Sequence, residues 1–327
     1  MRPIRRILVA VKDPAAAAAP SVFKAAQLAR AYGAHLELFH AISTPLYVDA
    51  YSYQQSLREI EREIHSNRLA QLQTIAGKLR GKGLEISVTA QWDHPAYEAV
   101  VRHAIRTGAS LIVADCHAKP HILPGLLHLT DWELLRMSPI PVLLVRSATP
   151  YKRPAILAAV DPNHAFAKPL QLDAEILSAA GSVAGALHGR LHAVHAYLPL
   201  PEEPISRRLL SDMQRNKLNA QTQAAAGLNF ERTVRTARIP KSRCHLLPCH
   251  PIAAIEQTAR KTHSAIVVMG AISRSGMRRF IFGNTAEYLL DSLPCDLLII
   301  KPPRFCAPLQ KRLRGVKFVV APYVPGT

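Results

Sequence analysis

Long apolar runs are missing from this 327-residue chain. A membrane-crossing helix needs roughly 18 such residues, and the strongest runs here are short stretches at 266–269 and 297–300. The first residues, MRPIRRILVAVKD, carry charge but no apolar leader core or small-residue cleavage site. A soluble, cytoplasmic chain with no transmembrane segment is therefore expected. Cysteine is scarce: five residues, an odd number unevenly spread, exclude a disulfide framework and suit a reducing compartment. Aromatics make up only 6%, and no stacking motif accompanies them, which argues against a nucleic-acid reader built on base stacking. Also absent are a Ser-centred nucleophile elbow, a P-loop lysine motif and HExxH. No catalytic residue is assigned, although weak ATP hydrolysis is left open.

Acidic residues are few as well, 23 against 41 Lys and Arg, for a net charge of +18. The excess is +5 over residues 1–150, +8 over 151–302 and +5 over 303–327. Such a balance favours anionic partners, nucleotides and nucleic acid among them, or simply a solvated basic surface. What is plentiful is core material: 49% of residues are hydrophobic and only 20% charged, which excludes a disordered chain.

The chain repeats itself once. ILVAVKD at 7–13 answers ILAAVD at 156–161, and His94-Pro95 answers His250-Pro251. LIVA at 111–114 answers IVVM at 266–269, and PVLLVR at 141–146 answers DLLIIK at 296–301. The offsets are 149, 156, 155 and 155, which reads as a tandem duplication. Apolar strand runs alternate with longer helical patterns, so each half reads as repeated βαβ units on a parallel sheet. In the first half helices are expected near 20–32 and 52–81, and strands near 34–42 and 84–91. In the second half helices are expected near 167–188 and 205–237, and a strand near 189–197. The expected fold class is α/β, two tandem Rossmann-like domains, each a three-layer open five-stranded parallel sheet with helices on both faces. The domains are read as 1–149 and 150–302, followed by a basic tail, 303–327, without a trusted period.

Ligands of open parallel sheets bind outside the carboxyl ends of the strands. At that end of the second half lies MGAISRSG from Met269, then a basic and apolar stretch, then Gly283-Asn284-Thr285. Gly270 and Gly276 would let backbone approach a ligand, and Asn284 and Thr285 would cap a helix whose free N–H groups suit phosphate. Arg274 adds a cationic reach.

The stretch MGAISRSGMRRFIFGNTAEYLLDSLPCDLLIIKP strongly resembles the C-terminal signature of the universal stress protein family, and the tandem layout is similar to its two-domain branch. TDWELLRMSPIPVLLVR in the first half resembles the matching segment, and the resemblance covers about residues 4–302. It implies a pair of adenine-nucleotide alpha-hydrolase-like folds, packed as an internal pseudo-dimer, with a homodimer open. The ATP-binding branch carries Gly-x2-Gly-x9-Gly-Ser/Thr and an Asp at the end of the first strand. Here Gly270 and Gly283 keep the outer glycines, Ser273 replaces the middle one, Asn284 stands for Ser/Thr, and Asp161 matches the Asp. The resemblance thus implies ATP or a related nucleotide, with Mg in attendance, held by Asp161, Gly270, Ser273, Arg274, Gly276, Gly283, Asn284 and Thr285. In the first half Asp115, Ala118, His128 and Leu129 fall at the motif positions, and Lys12 replaces the Asp. An Asp facing phosphate repels it, so no ATP is expected there. PHILPGLLHL at 120–129 fills that space, either as core or as the wall of a pocket for an apolar or acyl ligand.

Cys244-His245 and Cys249-His250 bracket one strand. Thiolate and imidazole bind zinc, but on an extended strand 244 and 249 point to opposite faces. No metal site is expected, these four being the nearest candidates. The leading expectation is a non-catalytic, stress-response protein regulated by a nucleotide in the second half, with an unidentified protein partner. An apolar-ligand carrier and a nucleic-acid-associated basic protein are the alternatives.

Overall fold

The computed structural model describes residues 3–16, 19–48, 54–81, 83–116, 130–163, 171–200, 211–270, 289, 292–302, 305, 309–310 and 312–320. The chain divides into two compact units, Tyr151–Phe305 and Arg2–Pro150 together with Cys306–Thr327.

In the first unit β1 (Arg6–Ala10), β2 (His35–Ile42), β4 (Ile86–Trp92), β5 (Leu111–Asp115) and β6 (Val142–Val145) pair in parallel in the order β4-β2-β1-β5-β6. Helices α1 (Pro20–Tyr32), α2 (Gln54–Leu79), α3 (Ala96–Thr107) and α4 (Thr130–Met137) connect them. Consecutive strand residues point to opposite faces. Ile7, Leu8 and Val9 on β1 are nevertheless all fully buried, as are Ile112 and Val113 on β5. Both faces of the sheet are therefore covered, which is why these strands read as continuous apolar runs rather than alternating ones. The order reverses between β1 and β5, so a crevice opens outside their carboxyl ends.

The second unit repeats the scheme. Strands β7 (Ala155–Ala159), β8 (Arg190–Ala196), β9 (Cys244–Leu247), β10 (Ser264–Gly270) and β11 (Asp296–Ile300) run parallel in the order β11-β10-β7-β8-β9. Helices α5 (Leu172–Ala186), α6 (Asp212–Arg235) and α7 (Pro251–Lys261) lie between them. Ser211 caps α6 in a reciprocal box with Gln214, which satisfies two donors at that helix start.

The basic tail does not hang free. Strand β12 (Phe318–Val320) pairs in parallel with β3 (Leu46–Val48), a short strand after β2. Before it, the Arg102 side chain donates to the Gln310 carbonyl at 2.7 Å and the Arg314 backbone N–H to Asp93 Oδ1 at 3.0 Å. The Arg314 side chain pairs with Glu98 at 2.9 Å. Arg102 also grips Asp93 at 2.9 and 3.2 Å, and Asp93 is fully buried. The absence of a hydrophobic period in this segment has a plain cause: a three-residue strand and main-chain carbonyls make much of the attachment.

Candidate functional site

The exits of β1, β2, β4 and β5 enclose a cavity of about 580 Å³ in the first unit. Its size falls within the range of small-molecule sites. Lys12 and Asp13 enter from the end of β1, His40 and Ile42 from β2, Arg68 from α2, Trp92 from β4 and Tyr97 from α3. Ile64, Val100 and Leu134 supply aliphatic wall. Trp92 is oriented by its indole N–H, which donates to the Glu61 carbonyl at 3.2 Å.

The charged groups of the cavity lie against nearby partners. Arg68 lies 3.9 Å from Asp13, and Lys12 Nζ donates to the Asp115 carbonyl at 3.3 Å. The Asp115 carboxylate accepts from the Ser21 backbone N–H at 2.9 Å and from its hydroxyl at 2.7 Å. It therefore lies against the amino end of α1, where the helix dipole favours negative charge. Of the charged side chains that line the cavity, Lys12 and Arg68 are cationic and Asp13 is anionic, an arrangement suited to a ligand with one anionic or polar end.

His40 donates from Nδ1 to the Val11 carbonyl at 2.8 Å. Burial, with a smaller push from Arg68, holds its pKa below the usual histidine value, so the ring is neutral at pH 7 and keeps an acceptor nitrogen. In the second unit, 155 residues later, His195 Nδ1 bonds the Val160 carbonyl in the same way at 3.2 Å. The repeat offset could have revealed this pair from the sequence, but the histidines drew no attention because they stand inside apolar strands.

In the second unit Asp161 and Gly270 come to one edge: they follow β7 and end β10, which are neighbours in register (Ala159 beside Met269). The Asp161 carboxylate is half exposed and lies 3.9 Å from His195. Gly270 has a local reason of its own. A Cβ there would lie 2.6 Å from Leu172 Cδ2 and 3.1 Å from Ile176 Cδ1, so glycine lets α5 pack onto the strand. Ser273, Arg274, Gly276, Gly283, Asn284 and Thr285 lie outside the described residues, as does the apolar segment 120–129.

The four Cys and His candidates have separate surroundings. The Cys244 thiol faces the Ile239 carbonyl at 3.9 Å, His245 stacks beside His192 with 3.2 Å between ring nitrogens, and His250 Nδ1 accepts the Ile252 N–H at the start of α7. Burial raises the pKa of both Cys244 and Cys249, with Glu231 adding to the effect at Cys244, which keeps them as thiols. Among the described residues no group of three or more His, Cys, Asp or Glu could hold a metal. No helix among them is long and apolar enough to cross a membrane.

The Universal stress protein family matches this chain twice, over residues 3–146 and 155–301. The chain is 27% identical over 314 residues to Universal stress protein E of Escherichia coli, covering 93% of this chain and 96% of that one. It is 24% identical over 311 residues to Universal stress protein E of Photorhabdus laumondii, covering 93% and 97%. In fold it is similar to a functionally unknown protein of Pseudomonas aeruginosa, with a TM-score of 0.67 and 23% identity over 92% of this chain and 93% of the other. A universal stress protein of Archaeoglobus fulgidus gives a TM-score of 0.56 at 15% identity, over 92% and 99%.

Proposed function

The chain belongs to the universal stress protein family as a tandem of two such domains, and from that premise we propose that it is a non-catalytic, cytoplasmic stress-response protein that works by holding a small ligand in the first unit. The observation that carries this reading is the cavity of about 580 Å³ at the strand exits of that unit. Its aliphatic and aromatic walls suit an elongated apolar body, and Lys12 and Arg68 offer one anionic group a pair of donors. The ligand acts by population shift: contacts made only with the closed arrangement of the surrounding loops stabilise that arrangement for a protein partner. The test is ligand retention through purification. Replacing Lys12→Ala together with Arg68→Ala is expected to empty the cavity, whereas Asp161→Asn leaves it filled. Equal retention in all three proteins overturns the assignment.

A second reading rests on Asp161 and Gly270 sharing one sheet edge in the second unit. ATP or a related adenine nucleotide, with Mg, would be held there. The half-exposed Asp161 carboxylate fits a nucleoside donor, and the phosphates fall to Ser273, Arg274, Gly276, Gly283, Asn284 and Thr285. Under this reading Gly283→Val abolishes nucleotide binding in a calorimetric titration. Unchanged affinity in that variant removes the site.

A further inference from the structure

At the opposite edge of the second unit, where the chain enters its strands, four loops share an unusual backbone feature. Arg153 before β7, His188 before β8, Arg238 before β9 and His263 before β10 all have positive φ, at 45°, 51°, 51° and 49°. The last three follow helices. The residues 155 positions earlier in the first unit are Gly33, Gly83 and Gly108, with φ of 61°, 78° and 67°. Glycine is the ordinary choice at such helix ends because a Cβ is strained in the left-handed region, and Asn is the usual second choice. The second unit carries Arg or His at every one of these places, and all four side chains are exposed. No core contact calls for a side chain there. Strain kept at exposed positions that glycine would relieve points to what those side chains reach.

Their neighbours have the same sign. Arg190 heads β8, Lys241 stands in the short 3-10 turn before β9, and Arg260 and Lys261 end α7, all exposed. Cations in a last helical turn favour the helix dipole, which accounts for Arg260 and Lys261 but not for Arg153, Arg190 or Lys241. Among the described residues the one ion pair these cations make is Lys241 with Glu231, at 3.7 Å. In the first unit, by contrast, Arg6, Arg30 and Arg106 are taken up by Glu37, the Leu79 carbonyl and Gln91.

The row crosses four adjacent strands, a length of about 15 Å at the usual interstrand spacing. Arginine predominates, and its planar fork suits phosphate oxygens. No large apolar side chain is exposed in these loops, so nothing would insert into a lipid surface. No exposed aromatic is present for stacking unpaired bases. We infer that the amino-terminal edge of the second unit's sheet is a docking surface for a nucleic-acid duplex, gripping its phosphate backbone without reading sequence.

The full chain is titrated by fluorescence anisotropy with mixed-sequence DNA and RNA duplexes of about 20 base pairs, between about 50 and about 200 mM salt. Binding that weakens linearly on a log–log plot is expected. The variant Arg153→Gly, His188→Gly, Arg238→Gly, His263→Gly is expected to melt no lower than the parent, because glycine relieves the strain. Its affinity falls about tenfold or more, and its salt slope loses about two contacts. A second variant, Arg190→Glu with Lys241→Glu, separates charge from backbone effects and is expected to lose binding as well. The inference is overturned if neither duplex binds at low salt, if the glycine variant binds like the parent, if single strands bind better than duplexes, or if phosphatidylserine vesicles are bound and duplexes are not.

Discussion

Gly270 shows how one missing methyl group governs packing. Its absent Cβ is the space into which Leu172 and Ile176 of α5 project. Gly270→Ala is expected to destabilise the second unit by about 1–3 kcal/mol through overpacking, measured by urea denaturation; an unchanged midpoint would mean that α5 adjusts freely. His192 gives a pH signature. Burial, then His245, Arg243 and Arg190, lower its pKa from 6.5 to about 4. A base whose folded pKa is depressed binds its proton more readily when unfolded, so folding stability is full above pH 6.5 and falls as the pH drops towards about 4. The His192→Asn variant is expected to flatten that part of the stability profile, and an unaltered slope would assign it to other groups. At this scale the sequence was partly legible. Asp161 and Gly270 were singled out together by the family resemblance, and the two follow neighbouring strands at one sheet edge. Lys12, Arg68, Trp92 and Tyr97 reach one cavity from four different elements, and no local pattern announces that convergence.

Among elements, the tail is the instructive case. Apolar periodicity located α1 at its observed limits and placed β2, α2, β4 and β8 within two residues of where they lie, because each buries a face or a whole strand. Helix α6 instead begins at Asp212, capped by Ser211, seven residues after the expected start. Strands β3 and β12 have three residues each, too few for a period, and the segment between β11 and β12 is attached through Asp93, Arg102 and backbone carbonyls. Arg102 is nearly buried and Asp93 wholly so. Arg102→Leu removes one partner and strands a buried carboxylate, so it is expected to destabilise the first unit by about 3–5 kcal/mol. Asp93→Asn combined with Arg102→Leu should recover part of that loss. Ending the chain after Phe305 is expected to lower the thermal midpoint, since Asp93 and Glu98 lose their partners on Arg314. A midpoint equal to that of the full chain would show that the tail adds nothing to the fold.

Over the whole molecule, duplication let two copies of one plan diverge. Both keep the parallel sheet with its order reversing beside the first strand of the unit, and both keep the histidine that bonds the end of that strand. They differ at the ligand edge, where Asp115 stands in one copy and Gly270 at the corresponding place in the other. They differ also at the opposite edge, where glycines in one copy are Arg and His in the other. The repeat and the fold class were legible because a near-constant offset, from 149 to 156, recurs across four elements in the same order; the contrast between the two edges became visible only with the backbone angles. The central claim is that the first-unit cavity holds a small ligand. It is tested most directly by mass spectrometry of what the purified full chain releases on denaturation. The account predicts a near-stoichiometric molecule with an apolar body and one anionic or polar group. A chain that releases nothing, or only a nucleotide, contradicts it.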